Sequence, residues 1–144
     1  MLVGDVADAS VSADALVELL INEGAPGLER VARRAVSANS GVPEDAVRAW
    51  LGALRWGVRE PTFPFGITIE GYSRPFDVLD GDLRIRTSSP TSAALQLFGR
   101  YEPPVTGTDV SEGGHLRVAS IAHGIVHGLV SAASPSSPRA GCPC

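Results

Sequence analysis

The sequence contains no lysine; all twelve of its basic residues are arginine. Without a lysine amine the chain cannot form a Schiff base with a carbonyl substrate or with pyridoxal phosphate. The same absence excludes a phosphate-binding loop of the G-x-x-x-x-G-K-S/T type. Sixteen acidic residues outweigh the arginines and give a net charge of −4. A surface that binds duplex nucleic acid needs clustered cations, so this balance predicts that nucleic acid is not a partner.

Cysteine is also scarce, since the two cysteines are Cys142 and Cys144 at the C-terminal end. A disulfide framework in the body of the fold is therefore excluded. Two thiols do not make a tetrahedral metal site, and we predict neither a metal nor a cofactor. Residues 134–144 consist mostly of serine, proline and small residues, which predicts a disordered tail. Residues 1–133 are expected to form a single domain.

Long apolar runs are missing as well. Hydrophobic residues make up 44% and charged residues 19% of the chain, which is typical of a globular protein with a core. No window approaches the roughly 18 apolar residues of a membrane span. The N-terminus lacks the basic start and apolar stretch of a secretory signal. We therefore expect a cytoplasmic protein without a membrane span, and the oligomeric state stays open.

The N-terminal part predicts a strand followed by two short helices. Leu2–Ala9 alternates weakly and fits an edge strand. Ser12 is a good N-cap, and Gly24 is placed to end the first helix. Pro26 suits the first turn of a second helix. The apolar faces of the two helices are predicted to hold Leu16, Leu19 and Leu20, and then Leu28, Val31, Ala32 and Ala35.

Residues 43–56 fit two patterns. Val47, Trp50, Leu51 and Leu54 follow helical spacing, whereas from Leu54 onward apolar and other residues alternate as in a strand. The sequence indicates a short helix that gives way to a strand near Gly52, and helix and strand remain alternatives for this segment.

The strongest local signal is Asp80-Gly81 between two alternating segments, after a strand around Ile67 and Ile69. A two-residue Asp-Gly loop predicts a β-hairpin. In that register Val78 faces Leu83, and Asp77 forms a cross-strand ion pair with Arg84. The same hairpin accounts for the acidic cluster better than a Ca²⁺ site would. The cluster consists of Asp77, Asp80 and Asp82.

The C-terminal part predicts one more strand and a long helix. Apolar residues alternate from Ala93 to Leu97 after a polar turn at residues 87–92, and the strand is expected to end near Arg100 and Tyr101. A helix over residues 112–132 follows, with an apolar stripe. Its members are Val118, Ala122, Ile125 and Leu129.

Three histidines lie on this helix. His123 and His127 are four residues apart, but Gly124 replaces the glutamate of a zinc-protease H-E-x-x-H motif. We interpret this pair, on the flank of the apolar stripe, as surface histidines. His115 lies nearer the apolar face and has the better claim to a buried role. Gly124 and Gly128 are expected to let the helix approach a sheet closely. No nucleophile motif or dinucleotide fingerprint occurs, so no catalytic residue is predicted.

The element order and three segments resemble the START-like, helix-grip proteins of the SRPBCC superfamily, which include polyketide cyclases/dehydrases and lipid-transfer proteins. Residues 11–20, VSADALVELL, resemble the superfamily's opening, and residues 76–85, FDVLDGDLRI, resemble a segment of actinobacterial members. Residues 99–119 are similar too, with G-R-Y-E-P-P followed by H-L-R-V-A. Residues 24–60 depart from the pattern. The resemblance implies an α+β fold in which a curved antiparallel sheet packs against the long C-terminal helix.

The resemblance also implies a cavity between sheet and helix that holds a lipid, an isoprenoid or an aromatic polyketide. The leading hypothesis is binding of such a hydrophobic small molecule without chemistry of the protein's own. The alternatives are a cyclase or aromatase, for which His115 is the candidate acid/base group, and a structural or interaction domain with a filled pocket. The candidate ligand-binding residues are Trp56, Tyr72, Phe98 and Tyr101 as aromatic walls, with Arg100 and His115 as polar anchors.

Overall fold

The computed structural model describes residues 1–55, 60–71, 74–102 and 112–133. Five antiparallel strands form one sheet in the order β1-β5-β4-β3-β2, and two helices cover one of its faces. This is the α+β helix-grip architecture that the family resemblance implied. The elements are β1 (Leu2–Ala9), α1 (Ala13–Ser40), a 3₁₀ turn (Glu44–Ala46), β2 (Val47–Leu51), β3 (Thr62–Ile69), β4 (Val78–Ser89), β5 (Ser92–Tyr101) and α2 (Glu112–Ala133).

Helix α1 contains the two predicted N-terminal helices joined at a kink. The Ser12 side chain accepts a hydrogen bond from the backbone N–H of Ala15 at 3.2 Å, as an N-cap does. Gly24 has φ 58°, outside the helical region, and Pro26 follows it. Gly41 ends the helix in the left-handed conformation, with φ 73°. The two halves thus follow one another directly, without a connecting loop.

The prediction for residues 43–56 was wrong in the position of the change from helix to strand. The helical part is only the turn Glu44–Ala46, and the strand begins at Val47 and ends at Leu51, before Gly52. β2 pairs with β3, with Val47 opposite Ile69 and Leu51 opposite Phe65. Backbone pairing with a neighbouring strand therefore outweighs the helical spacing of the apolar residues. Residues 56–59 lie outside the described residues.

The predicted Asp80-Gly81 hairpin was also wrong. β4 runs without a break through both residues, and Gly81 lies opposite Phe65 on one side and Gly99 on the other. The β4–β5 connection is instead at residues 89–92, within the polar turn that the sequence indicated. A two-residue loop would place Val78 and Leu83 on one face, but in a continuous strand their opposite parity separates them. Leu83 is buried and Val78 is 44% exposed.

The predicted Asp77–Arg84 ion pair is absent for the same reason. Asp77 pairs with Arg74, close to it in the sequence. The Arg84 side chain instead has its Nε 3.8 Å from an Oε of Glu60 and its guanidinium 5.1 Å from the centre of the Phe98 ring. These contacts belong to the outer face of the sheet, by which we mean the face turned away from the helices.

The core lies between the inner face of the sheet and the two helices. Alternate residues of each strand are buried there, and no polar or charged residue is buried among the described part of the chain. Burial of this apolar area is the main stabilisation of the fold. The largest fully buried side chains are Phe63, Phe65, Phe76, Leu16, Leu20, Leu28, Ile67, Leu79, Leu83, Ile85, Leu95 and Leu97.

Helix α2 packs against α1 and β1. Its segment Gly114–Ala133 is long and apolar enough to cross a membrane by length and composition alone. One face of the helix is nevertheless part of the protein core, with Val118, Ile121 and Ile125 fully buried. The sequence predicted that the two glycines of α2 approach a sheet, but they approach helix α1 instead. A Cβ on Gly124 would lie 3.0 Å from Ala35, and one on Gly128 would lie 2.6 Å from Val31, both on α1.

Candidate functional site

Tyr101 and His115 meet at one end of the core. Tyr101 is the last residue of β5 and is buried, and His115 lies half-buried near the start of α2. The Tyr101 Oη lies 2.6 Å from the His115 Nδ1, and the two rings are nearly parallel with centres 5.9 Å apart. The ring of Phe76 lies on the inner side as well, 6.3 Å from that of Tyr101. A polar pair therefore faces an otherwise apolar interior.

The environment of Tyr101 keeps its hydroxyl protonated. Burial raises the pKa of the Tyr101 phenol above its usual value of 10.0. A neutral phenol can donate its proton to Nδ1 of His115, which places the ring proton of a neutral His115 on Nε2. The pair can therefore present a hydrogen-bond donor to a ligand and can hold a proton in a defined position.

Phe98 and Arg100 lie on the outer face. They alternate with Tyr101 along β5, and Phe98 is 48% exposed. They line a groove of about 600 Å³ that also includes Trp50 of β2. A Cβ on Gly66 would overlap the Trp50 indole, so the absence of a side chain there lets the ring lie on the sheet. The main side chains of this groove, which we call the outer groove, are Leu2, Trp50, Arg55, Asp80, Phe98 and Arg100.

The structure thus divides the six candidate residues. Tyr101 and His115 meet on the inner face, Phe98 and Arg100 lie on the outer face, and Trp56 and Tyr72 lie outside the described residues. Trp50 was not among the candidate site residues predicted from the sequence, because the helical spacing of residues 47–54 favoured a helix over a strand there. Its alternation with Ala49 and Leu51 was the signal that could have revealed it.

Two further concave regions lie at the margins of the sheet. One, of about 560 Å³, is bordered by Met1, Val78, Arg100 and Tyr101 at the end of β5. The other, of about 350 Å³, lies between α1 and the segment after β2, next to Ile21 and Leu54. None of these three regions is lined by the described residues of α2.

Comparison with known proteins finds matches in structure but not in sequence. No protein-family model and no curated protein matches the sequence. The crystal structure of Ara h 8.0201 matches with a TM-score of 0.57 and 9% identity, over 92% of this chain and 97% of that one. An aromatase/cyclase, Zhui, from a Streptomyces species matches with a TM-score of 0.50 and 10% identity, over 92% of this chain and 93% of that one.

Both matches extend over nearly the whole of each chain, so they include the sheet and both helices. At these identities the likeness concerns the path of the backbone and not the side chains of a site. The chain therefore has the α+β helix-grip fold of these two proteins.

Proposed function

We propose that the protein binds a hydrophobic small molecule between the sheet and the first turns of α2. The ligand class is a lipid, an isoprenoid or an aromatic polyketide-like molecule, and the protein contributes no chemistry of its own. The fold supports this proposal, because the inner face of the sheet and one face of α2 are apolar and border the same interior. We also propose a cytoplasmic location without a membrane span, since one face of α2 packs into the protein core.

The observation that carries the proposal is the Tyr101–His115 hydrogen bond. Ligand sites combine mostly apolar walls with a few polar groups that fix orientation. The 2.6 Å contact provides such a group beside the buried Phe76. Trp56 and Tyr72 remain candidate wall residues. Phe98 and Arg100 face the other side of the sheet and would contact a ligand only in the outer groove.

Uptake of a dansyl-labelled fatty acid, followed by its fluorescence, tests the proposal. Tyr101→Phe and His115→Phe should weaken uptake about tenfold, because each removes a polar group that would orient the ligand. Leu116→Ala is the matched control, since Leu116 is adjacent to His115 and 65% exposed. It should bind like the wild type.

The outer groove needs its own pair of variants. Phe98→Ala and Trp50→Ala alter the outer face and leave the inner side chains in place. If only these two variants lose the probe, the ligand site is on the outer face and the proposed location is wrong. If the wild type takes up no probe and native mass spectrometry finds no bound molecule, the ligand-binding proposal is wrong and the structural or interaction domain with a filled pocket is favoured instead.

The half-buried position of His115 also favours the cyclase or aromatase alternative. That reaction class needs an acid/base group next to an enclosed chain, and His115 is held in one orientation by Tyr101. A poly-β-ketone thioester is the substrate to use. Under this alternative His115→Phe should abolish cyclised product while binding of the thioester persists. Equal product from wild type and variant would exclude it.

A further inference from the structure

We propose that Asp5, His123 and His127 form a binding site for a divalent metal ion, with zinc as the best-suited ion. The three residues come from opposite ends of the chain and meet where α2 packs on β1. This site is separate from the Tyr101–His115 pair and does not depend on the proposed ligand.

The distances between the donor atoms are those that an ion requires. Nδ1 of His123 lies 3.2 Å and Nε2 of His127 lies 3.8 Å from Oδ2 of Asp5. All three donor atoms lie within 4.8 Å of one another. A tetrahedral zinc ion with bonds of about 2.0–2.1 Å holds its ligand atoms about 3.3 Å apart. Small side-chain rotations therefore suffice to bring all three atoms to one ion.

The carboxylate oxygen provides a second, independent observation. Oδ2 of Asp5 is shielded from solvent and has no hydrogen-bond partner among the described residues. An anionic oxygen in that position is costly unless a cation or a donor satisfies it. The two histidine nitrogens lie next to it but without hydrogen-bond geometry. A metal ion between the three groups would satisfy all of them at once.

The fold directs the histidines toward Asp5. They are one turn apart on α2, so their rings lie side by side, with centres 3.9 Å apart. Gly124 and Gly128, each one residue further on, contact α1. That contact fixes the rotation of α2, and the histidine pair then lies toward β1. Asp5 is on the inner side of β1, in line with the buried Val3 and Ala7.

The donor set determines the class of ion. Two imidazoles and one carboxylate suit zinc and other borderline divalent ions, whereas Ca²⁺ and Mg²⁺ prefer oxygen ligands alone. His123 and His127 are 61% and 48% exposed, so solvent can reach the ion. A site with three protein ligands leaves a coordination position for water.

Isothermal titration of the full, tag-free chain with Zn²⁺ tests the site. We expect one zinc ion per chain and a loss of affinity of about 100-fold or more in Asp5→Asn and in His123→Gln. Loss of a group that only supports a ligand typically costs about 10- to 100-fold, so loss of a direct ligand should reach or exceed this range. Asp8→Asn should bind zinc like the wild type, because Asp8 lies on the same strand with its side chain on the outer face.

The C-terminal thiols require a separate variant. The double variant Cys142→Ser/Cys144→Ser should bind zinc with unchanged affinity. The wild-type chain loaded with Co²⁺ should show no thiolate-to-cobalt absorption band. If zinc binding is absent in the wild type, unchanged in Asp5→Asn and His123→Gln, or lost with the thiols, the proposal is overturned. If Asp5→Asn fails to fold, His127→Gln tests the site at an exposed side chain. His127→Gln must also weaken zinc binding.

Discussion

Gly81 of β4 lies directly opposite Gly99 of β5, in the middle of the sheet. A Cβ on Gly81 would overlap the carbonyl oxygen of Phe98, which is a backbone atom of the paired strand. The residue that resembled a turn glycine is therefore required for close approach between strands. An Asp-Gly dipeptide can form a turn or lie within a strand, and the strands that pair with it decide which of the two occurs.

Gly81→Ala should consequently destabilise the protein by about 3 kcal/mol, because backbone atoms of the sheet must move to relieve the overlap. Gly41→Ala is the comparison, since nothing lies within 4 Å of a Cβ there and only the positive φ is unfavourable. That variant should lose about 1 kcal/mol. Urea denaturation measures both, and equal losses would contradict the close approach at Gly81.

A second pair of variants tests the continuous path of β4. Leu83→Ala should cost about 3 kcal/mol, because Leu83 is fully buried and leaves a cavity. Val78→Ala should cost less than about 0.5 kcal/mol, since Val78 is 44% exposed. A hairpin at Asp80-Gly81 would place both residues in the core. Comparable losses in chemical denaturation would therefore support the hairpin and contradict the strand.

The raised pKa of Tyr101 predicts a loss of stability in alkaline solution. In the folded state the phenol keeps its proton above the usual value of 10.0, whereas in the unfolded chain it ionises near that value. The stability that this difference in pKa contributes is complete below pH 10. It is lost as the pH rises through the pKa of Tyr101 in the folded state. The lack of lysine removes the group that most often titrates in this range.

Urea midpoints measured from about pH 9 to about pH 11 for wild type and Tyr101→Phe test this linkage. The wild type should lose stability across this window more steeply than the variant, which should be less stable by about 1 kcal/mol at neutral pH through loss of the hydrogen bond to His115. Parallel pH profiles would show that Tyr101 does not titrate differently in the folded state.

The N-cap of α1 gives a local prediction. Ser12→Ala should reduce the free energy of unfolding by about 1 kcal/mol, because the backbone N–H of Ala15 loses its acceptor. Ser10→Ala removes a hydroxyl just outside the helix and should change stability by less than about 0.5 kcal/mol. Thermal denaturation measures both variants. A neutral Ser12→Ala would show that solvent replaces the cap.

The sequence by itself determined the elements with an unbroken local pattern. β1, both halves of α1, β3, β5 and α2 are close to where apolar spacing and caps placed them, because that spacing reflects which side of an element is buried. The fold class was implied by the family resemblance that their order and three segments of the sequence carried. The preference of Asp-Gly for turns and the helical spacing at residues 47–54 are also local, and both were outweighed by pairing with neighbouring strands.

The tertiary structure decided which of the candidate site residues meet. Phe98, Arg100 and Tyr101 are nearly adjacent in the chain, yet strand alternation places the first two on the face opposite Tyr101. Asp5 and His123 are far apart in the sequence, yet the packing of α2 on β1 brings them together. No local pattern encodes such contacts, because they depend on strand order and on the rotation of a helix that its packing against α1 sets.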